Sequence, residues 1–177
     1  MKTILTIGAS TSKKSINRDF VMYVGCQIEN TNSLNIDVST FNHLPIFSVD
    51  YEAEFGAPKE IIDLHHKMKS VDGFVISFAE HNGSYSAGYK NIIDWISRQD
   101  GKIFNDKPTL LLSTSPGGRG GATVLSAAVQ SYPHLGAKVV ESFSLPTFYD
   151  NFVSNKLSNQ EFLNQLNIKI KAFKDSL

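Results

Sequence analysis

Gly73-Phe74-Val75-Ile76-Ser77-Phe78-Ala79-Glu80-His81-Asn82-Gly83-Ser84-Tyr85-Ser86, followed by Tyr89-Lys90-Asn91-Ile92-Ile93-Asp94-Trp95, passes from an apolar run through a polar loop into a segment of helical period. An unbroken apolar run suits a strand buried on both faces, as strands of parallel sheets are. In an open parallel sheet the ligand sits outside the carboxyl ends of the strands. The loop 79–86 is therefore where chemistry belongs. Glu80, His81 and Asn82 could serve as general acid or base, as metal ligands or as partners for the edge of a planar ring. One His beside one Glu leaves a metal's coordination incomplete, so no metal is expected.

Outward from that stretch, apolar runs alternate with helical segments. The runs 3–7, 35–39, 73–77, 109–113 and 138–140 read as strands, and 15–29, 58–69, 89–98, 121–135 and 158–176 as helices. The alternation predicts an α/β fold: a doubly wound five-stranded parallel sheet of order 2-1-3-4-5 with helices on both faces. Pro58 suits a first helical position. Ser158 and Glu161 read as a capping box before the apolar stripe of Phe162, Leu166, Ile170 and Phe173. No repeat, charge block or Ser/Gly linker divides residues 1–177, so a single domain is expected. The irregular stretch 41–56 reads as a functional loop near the crevice.

Charge and cysteine usage narrow the classes. Seventeen basic and seventeen acidic residues cancel, and no basic cluster offers a nucleic acid its counter-charge. The apolar start is broken by Thr6 and Gly8, short of the roughly 7–15 apolar residues of an export signal. No uncharged apolar run approaches about 18 residues, so no membrane partner is expected and the location reads as cytoplasmic. Cys26 has no internal partner and, lying within a helix, reads as a buried structural thiol. His65 and His66, adjacent on a helix and roughly 100° apart, read as surface or rim residues.

Two further loops leave strand ends. The first, Gly8-Ala9-Ser10-Thr11-Ser12-Lys13-Lys14-Ser15-Ile16-Asn17-Arg18, is dense in hydroxyls and opens a helix. A helix N-terminus, with unpaired N–H groups and a positive dipole end, receives phosphate well. The same residues also serve as an ordinary N-cap and turn. The other, Ser113-Thr114-Ser115-Pro116-Gly117-Gly118-Arg119-Gly120-Gly121, lets backbone approach a flat ligand closely. Neither matches the Walker phosphate loop or the dinucleotide fingerprint.

Together the loops resemble those of the NAD(P)H-dependent FMN reductases, flavodoxin-like proteins that include quinone, azo-dye and chromate reductases. The family's P-E-Y-N-G-S followed by K-N-x-I-D-W is similar to A-E-H-N-G-S and K-N-I-I-D-W here, and its S-x-G-x-x-G-G to residues 115–121. The resemblance runs from the first strand to about residue 140. It implies that Ser10, Ser15 and Asn17 hold the FMN phosphate, with Ser12 and Ile16 beside them. Glu80, His81, Asn82 and Gly83 would line the ribityl chain and ring, and Ser113, Ser115, Gly117 and Gly118 would approach its pyrimidine side. Ser12 stands where the family has Arg, leaving phosphate neutralisation to Lys13, Lys14 and the helix end. Ala79 replaces a Pro and His81 a Tyr.

The implied activity is hydride transfer from NADH or NADPH through FMN to a flavin, quinone or similar small acceptor, with no side chain acting as nucleophile or base. A quinone or azo reductase, a non-catalytic flavin electron carrier and a flavin-free interaction protein are the alternatives. Zero net charge disfavours the carrier, since carriers of this fold are typically acidic. The resemblance further implies a homodimer or homotetramer joined through the 89–98 helix, with Trp95 as its aromatic anchor.

Overall fold

The computed structural model describes residues 1–177. Five strands, β1 (Lys2–Ala9), β2 (Thr31–Asp37), β3 (Gly73–Phe78), β4 (Lys107–Thr114) and β5 (Ala137–Leu145), form one sheet. All neighbours are parallel, in the order β2-β1-β3-β4-β5, as the alternation of runs predicts. Seven helices accompany it: α1 (Ile16–Gln27), α2 (Val49–Phe55), α3 (Lys59–Ser70), α4 (Ala87–Ser97), α5 (Ala122–Ser131), α6 (Phe148–Asn151) and α7 (Gln160–Ser176).

β3 is buried along its whole length because both sheet faces are covered. Phe74, Ile76 and Phe78 enter the core under α3, α4 and α5, while Val75 enters the one under α1 and α7. Alternate side chains of one strand thus feed two cores. The register sets Ala9 opposite Phe78 and Phe78 opposite Ser113, so β1, β3 and β4 end at one rim. That alignment brings their loops together.

Several local expectations are corrected. The stretch 41–56 contains α2, capped by the Ser48 hydroxyl accepting from the Tyr51 N–H at 3.1 Å. The last helix is capped by Asn159, not Ser158, its Oδ1 accepting from the Glu161 and Phe162 amides. Cys26 is exposed. Trp95 is fully buried in its own subunit, donating from Nε1 to the Pro45 carbonyl at 2.8 Å and packing edge-on against Phe47, so it anchors no partner.

His65 is buried, and its Nε2 has no hydrogen-bond partner. Burial, aided by Lys69, holds its imidazole below the ordinary histidine value of 6.5, with Asp100 opposing. The unfolded chain therefore takes up a proton that the folded chain resists. This contribution to stability is full above about pH 6.5 and falls as pH drops towards the lowered folded value. His65→Leu is expected to flatten this acid limb, read as a smaller loss of urea midpoint between pH 7 and pH 5.5; an unchanged loss would assign the limb to other groups.

Candidate functional site

The first loop is braced from below. Arg18 Nη1 binds Asp37 Oδ2 at 2.8 Å while Nη2 donates to the Lys13 carbonyl at 2.5 Å, tying the loop to the end of β2. Hydrogen bonds from Ser39 and the Arg18 charge hold the Asp37 carboxyl below its usual range. The Ser15 hydroxyl caps α1 by accepting from the Arg18 N–H at 3.2 Å, and the Ser10 hydroxyl accepts from the Ser12 N–H at 3.2 Å. Both serines accept in these bonds, so each keeps its hydroxyl proton for a further acceptor.

Asn17 holds the rim from inside. Its Oδ1 accepts from the Ser77 hydroxyl at 2.7 Å and the Thr114 N–H at 3.1 Å, and its Nδ2 donates to the Thr114 carbonyl at 3.1 Å. One buried amide thereby joins α1 to the ends of β3 and β4.

The second loop, expected as a short polar loop, is a β-hairpin. Glu80 pairs with Tyr85 and His81 with Ser84. Asn82 and Gly83 form its tip with φ of 52° and 77°, both in the left-handed region that Asn-Gly turns adopt. The Glu80 carboxylate accepts from the Val124 N–H at 2.9 Å, capping α5, whose own N-cap residue is Gly121. A carboxylate there is favoured by the helix dipole.

In the third loop the Ser113 hydroxyl is buried and donates to the Gly120 carbonyl at 2.7 Å. The Phe148 N–H reaches the Ser115 carbonyl and the Thr147 N–H the Gly117 carbonyl, both at 3.0 Å. These bonds draw the turn after β5 to the rim and place Tyr149 there.

The three loops enclose a pocket of about 190 Å³. Of the residues expected at the site, Ser10, Ser12, Ser15, Ile16, Asn17, Glu80, His81 and Ser115 line it. Asn82, Gly83, Ser113, Gly117 and Gly118 lie outside the lining: Ser113 props the loop from below, and the others occupy loop tips. Lys14, Ala79, Thr114, Pro116 and Tyr149 complete it. Tyr149 was missed because the motif comparison stopped near residue 140, although the carboxyl end of the fifth strand was itself a signal. No group of acidic, His or Cys side chains is arranged to hold a metal.

A family model described as NADPH-dependent FMN reductase matches residues 2–150. The chain belongs to the NADPH-dependent FMN reductase family. Among curated relatives of this family member, a quinone reductase of Escherichia coli (strain K12) is 32% identical over 117 residues, 66% of this chain and 61% of the relative. An NADPH:quinone oxidoreductase of Arabidopsis thaliana is 31% identical over 93 residues, 52% of this chain and 47% of the relative. The chain thus spans about half to three fifths of the length of these two relatives. Among solved structures, the flavoenzyme NAD(P)H:(acceptor) oxidoreductase FerB of Paracoccus denitrificans superposes with a TM-score of 0.79 at 22% identity, over 99% of this chain and 97% of that one, which establishes the shared fold.

The pocket suits FMN on its own chemistry. The Ile16 and Asn17 N–H groups of α1, Lys14 and the two uncommitted serine protons match a phosphate, and Pro116, Ala79 and the Tyr149 ring offer apolar surface. For this FMN reductase family member the left-handed turn at Asn82 decides how that position responds to substitution. Asn82→Gly is expected to leave stability and FMN affinity nearly unchanged, whereas Asn82→Ala costs about 1 kcal/mol through strain at positive φ. Loss of FMN in the glycine variant, measured by flavin fluorescence titration, would make the amide a ligand group instead.

Proposed function

We propose that this chain is an NAD(P)H-dependent, FMN-binding oxidoreductase that passes hydride from nicotinamide to a quinone or flavin acceptor. The observation that carries the reading is the convergence of three strand-end loops on one pocket with an anion-binding floor. The relatives named quinone reductases support a quinone as acceptor. Bound FMN supplies two-electron chemistry between a reduced nicotinamide and the acceptor.

The protein's part is binding and orientation. Ser10, Ser15, Lys14 and the α1 amides of Ile16 and Asn17 take the phosphate, the last by backbone only, since the Asn17 side chain is committed to the rim. Glu80 fixes the hairpin against α5 and the Phe148 N–H holds the Ser115 carbonyl, so His81 and Ser115 face the cofactor from set positions.

Lys14→Ala is expected to weaken FMN binding about fivefold at low salt, with the deficit shrinking as ionic strength rises. Flavin that fails to co-purify or titrate with the wild-type chain, or NADH and NADPH oxidation that quinone does not stimulate, would sink the reading.

We also propose that residues 1–177 fold as one domain and assemble as a homodimer or homotetramer. Exposed Ile46, Val49 and Phe55, on and just before α2, support this in place of buried Trp95. A monomer mass by light scattering at micromolar concentration would remove it. A cytoplasmic location is proposed with it, since the exposed, unpaired Cys26 stays reduced there.

A further inference from the structure

The turn that follows β5 is held in a conformation its residues resist. Thr147 has φ of 40° and ψ of 61°. The other non-glycine residues at positive φ are Asn, Asp or Ser; Thr147 alone is β-branched, the class for which that region is a true outlier. Such strain persists only where the surroundings over-determine it, and it gathers at ligand clamps.

The surroundings here do so. The Thr147 and Phe148 N–H groups donate to the Gly117 and Ser115 carbonyls, both at 3.0 Å. The buried Asn151 amide donates back to the Pro146 carbonyl at 3.0 Å and to the Thr147 hydroxyl at 2.8 Å. Phe148 stacks on Phe152 at 4.8 Å, and Phe152 meets Tyr23 of α1 edge-on at 5.4 Å. The turn is pinned to the third loop on one side and to α1 on the other. With Phe148 turned into the core, Tyr149 is directed out to the pocket rim, 66% exposed, its ring edge-on to Phe148 at 5.5 Å.

That position bears on which flavin fits. At the phosphate end the first loop is braced towards β2 through Arg18 and Asp37. Tyr149 stands on the β5 side, in the same lining as Pro116, Lys14 and Ser15. FMN ends at its phosphate, whereas a flavin dinucleotide continues into a second phosphate and an adenosine. A pocket of about 190 Å³ has no room for that second half, which must leave over the rim. Obstructing a competitor creates specificity as surely as contact with the preferred ligand does.

We propose that Tyr149 is a specificity-determining residue, its ring standing across the exit from the phosphate end so that a flavin mononucleotide is admitted and a dinucleotide obstructed. The assignment rests on the FMN reading above, with the phosphate at the start of α1.

The test titrates FMN, FAD and riboflavin into the wild-type chain and into Tyr149→Phe, Tyr149→Ala and Tyr149→Trp, followed by calorimetry. Riboflavin, which lacks the phosphate, reports whatever contact the ring makes with the part common to all three. The wild-type chain is expected to bind FMN about tenfold more tightly than FAD, and Tyr149→Phe to keep that ratio. Tyr149→Ala should narrow it about fivefold, chiefly by tightening FAD. Tyr149→Trp, which truncates nothing, should widen it and carries the test if the alanine variant fails to fold. A ratio unmoved in the alanine and tryptophan variants, wild-type affinity for FAD equal to that for FMN, or FAD weakened by removal of the ring would each overturn the proposal, the last by making Tyr149 a platform for adenine. If the wild-type chain binds none of the three flavins, the FMN reading fails and this assignment with it. Flavin binding with an unmoved ratio removes this assignment alone.

Discussion

Asn17→Ala is expected to lower unfolding stability by about 3–5 kcal/mol, because it strands three buried groups that each cost about 1–3 kcal/mol when unpaired. They are the Ser77 hydroxyl and the N–H and C=O of Thr114. Asn17→Asp should rescue little: its carboxylate can still accept from Ser77 and the Thr114 amide, but it sets a negative charge against the Thr114 carbonyl with no N–H to offer. Urea unfolding followed by circular dichroism reads the loss, with an unchanged slope confirming that only the midpoint moved. FMN affinity should fall with stability, because the rim joining α1, β3 and β4 loosens. A variant that keeps wild-type stability yet loses FMN would show that the side chain contacts the cofactor instead of clamping the rim.

Gly120→Ala carries the second large effect. Gly120 has φ of +58°, and a Cβ there would lie 2.4 Å from Ser144 Oγ and 2.9 Å from the Leu145 carbonyl carbon and oxygen. The serine can rotate away; the backbone of β5 cannot. The expected cost is about 2–4 kcal/mol, combining left-handed strain with overpacking. The same change should dislodge the Gly120 carbonyl from the Ser113 and Ser144 hydroxyls and weaken FMN binding. Gly118→Ala is the internal control, since a Cβ there meets nothing within 4 Å. Its stability should match wild type, so any loss of FMN in it reports close approach of cofactor to loop backbone. Equal thermal midpoints for the Gly120 and Gly118 variants would refute the steric account.

The sheet was legible because burial on both faces writes itself as unbroken apolar runs in the central strands, such as Gly73–Phe78. Five strand segments alternating with helices admit few topologies, although the edge strand Thr31–Asp37 is polar and largely exposed. Much of the site was legible too, since hydroxyl- and glycine-rich segments stood at three strand ends. What escaped was set by tertiary contact. The tip Asn82-Gly83 carries an ordinary hairpin signal, but strands of two residues give no run to read. α2 has only seven residues and none of them buried, so it has no apolar stripe. Cys26 and His65 both lie on helices whose inward face depends on neighbours, and each proved to face the opposite way from its expected side. Tyr149 reaches the pocket through backbone bonds between Thr147, Phe148 and the third loop, which side-chain pattern does not encode.

The bond from the Val124 amide to Glu80 turns the first turn of α5 into a gauge of the loop it grips. Whatever stiffens the Glu80–Tyr85 ribbon should slow deuterium uptake at that one amide. Whatever frees the ribbon should let the helix fray from its start, giving a local signal of site occupancy that needs neither colour nor turnover.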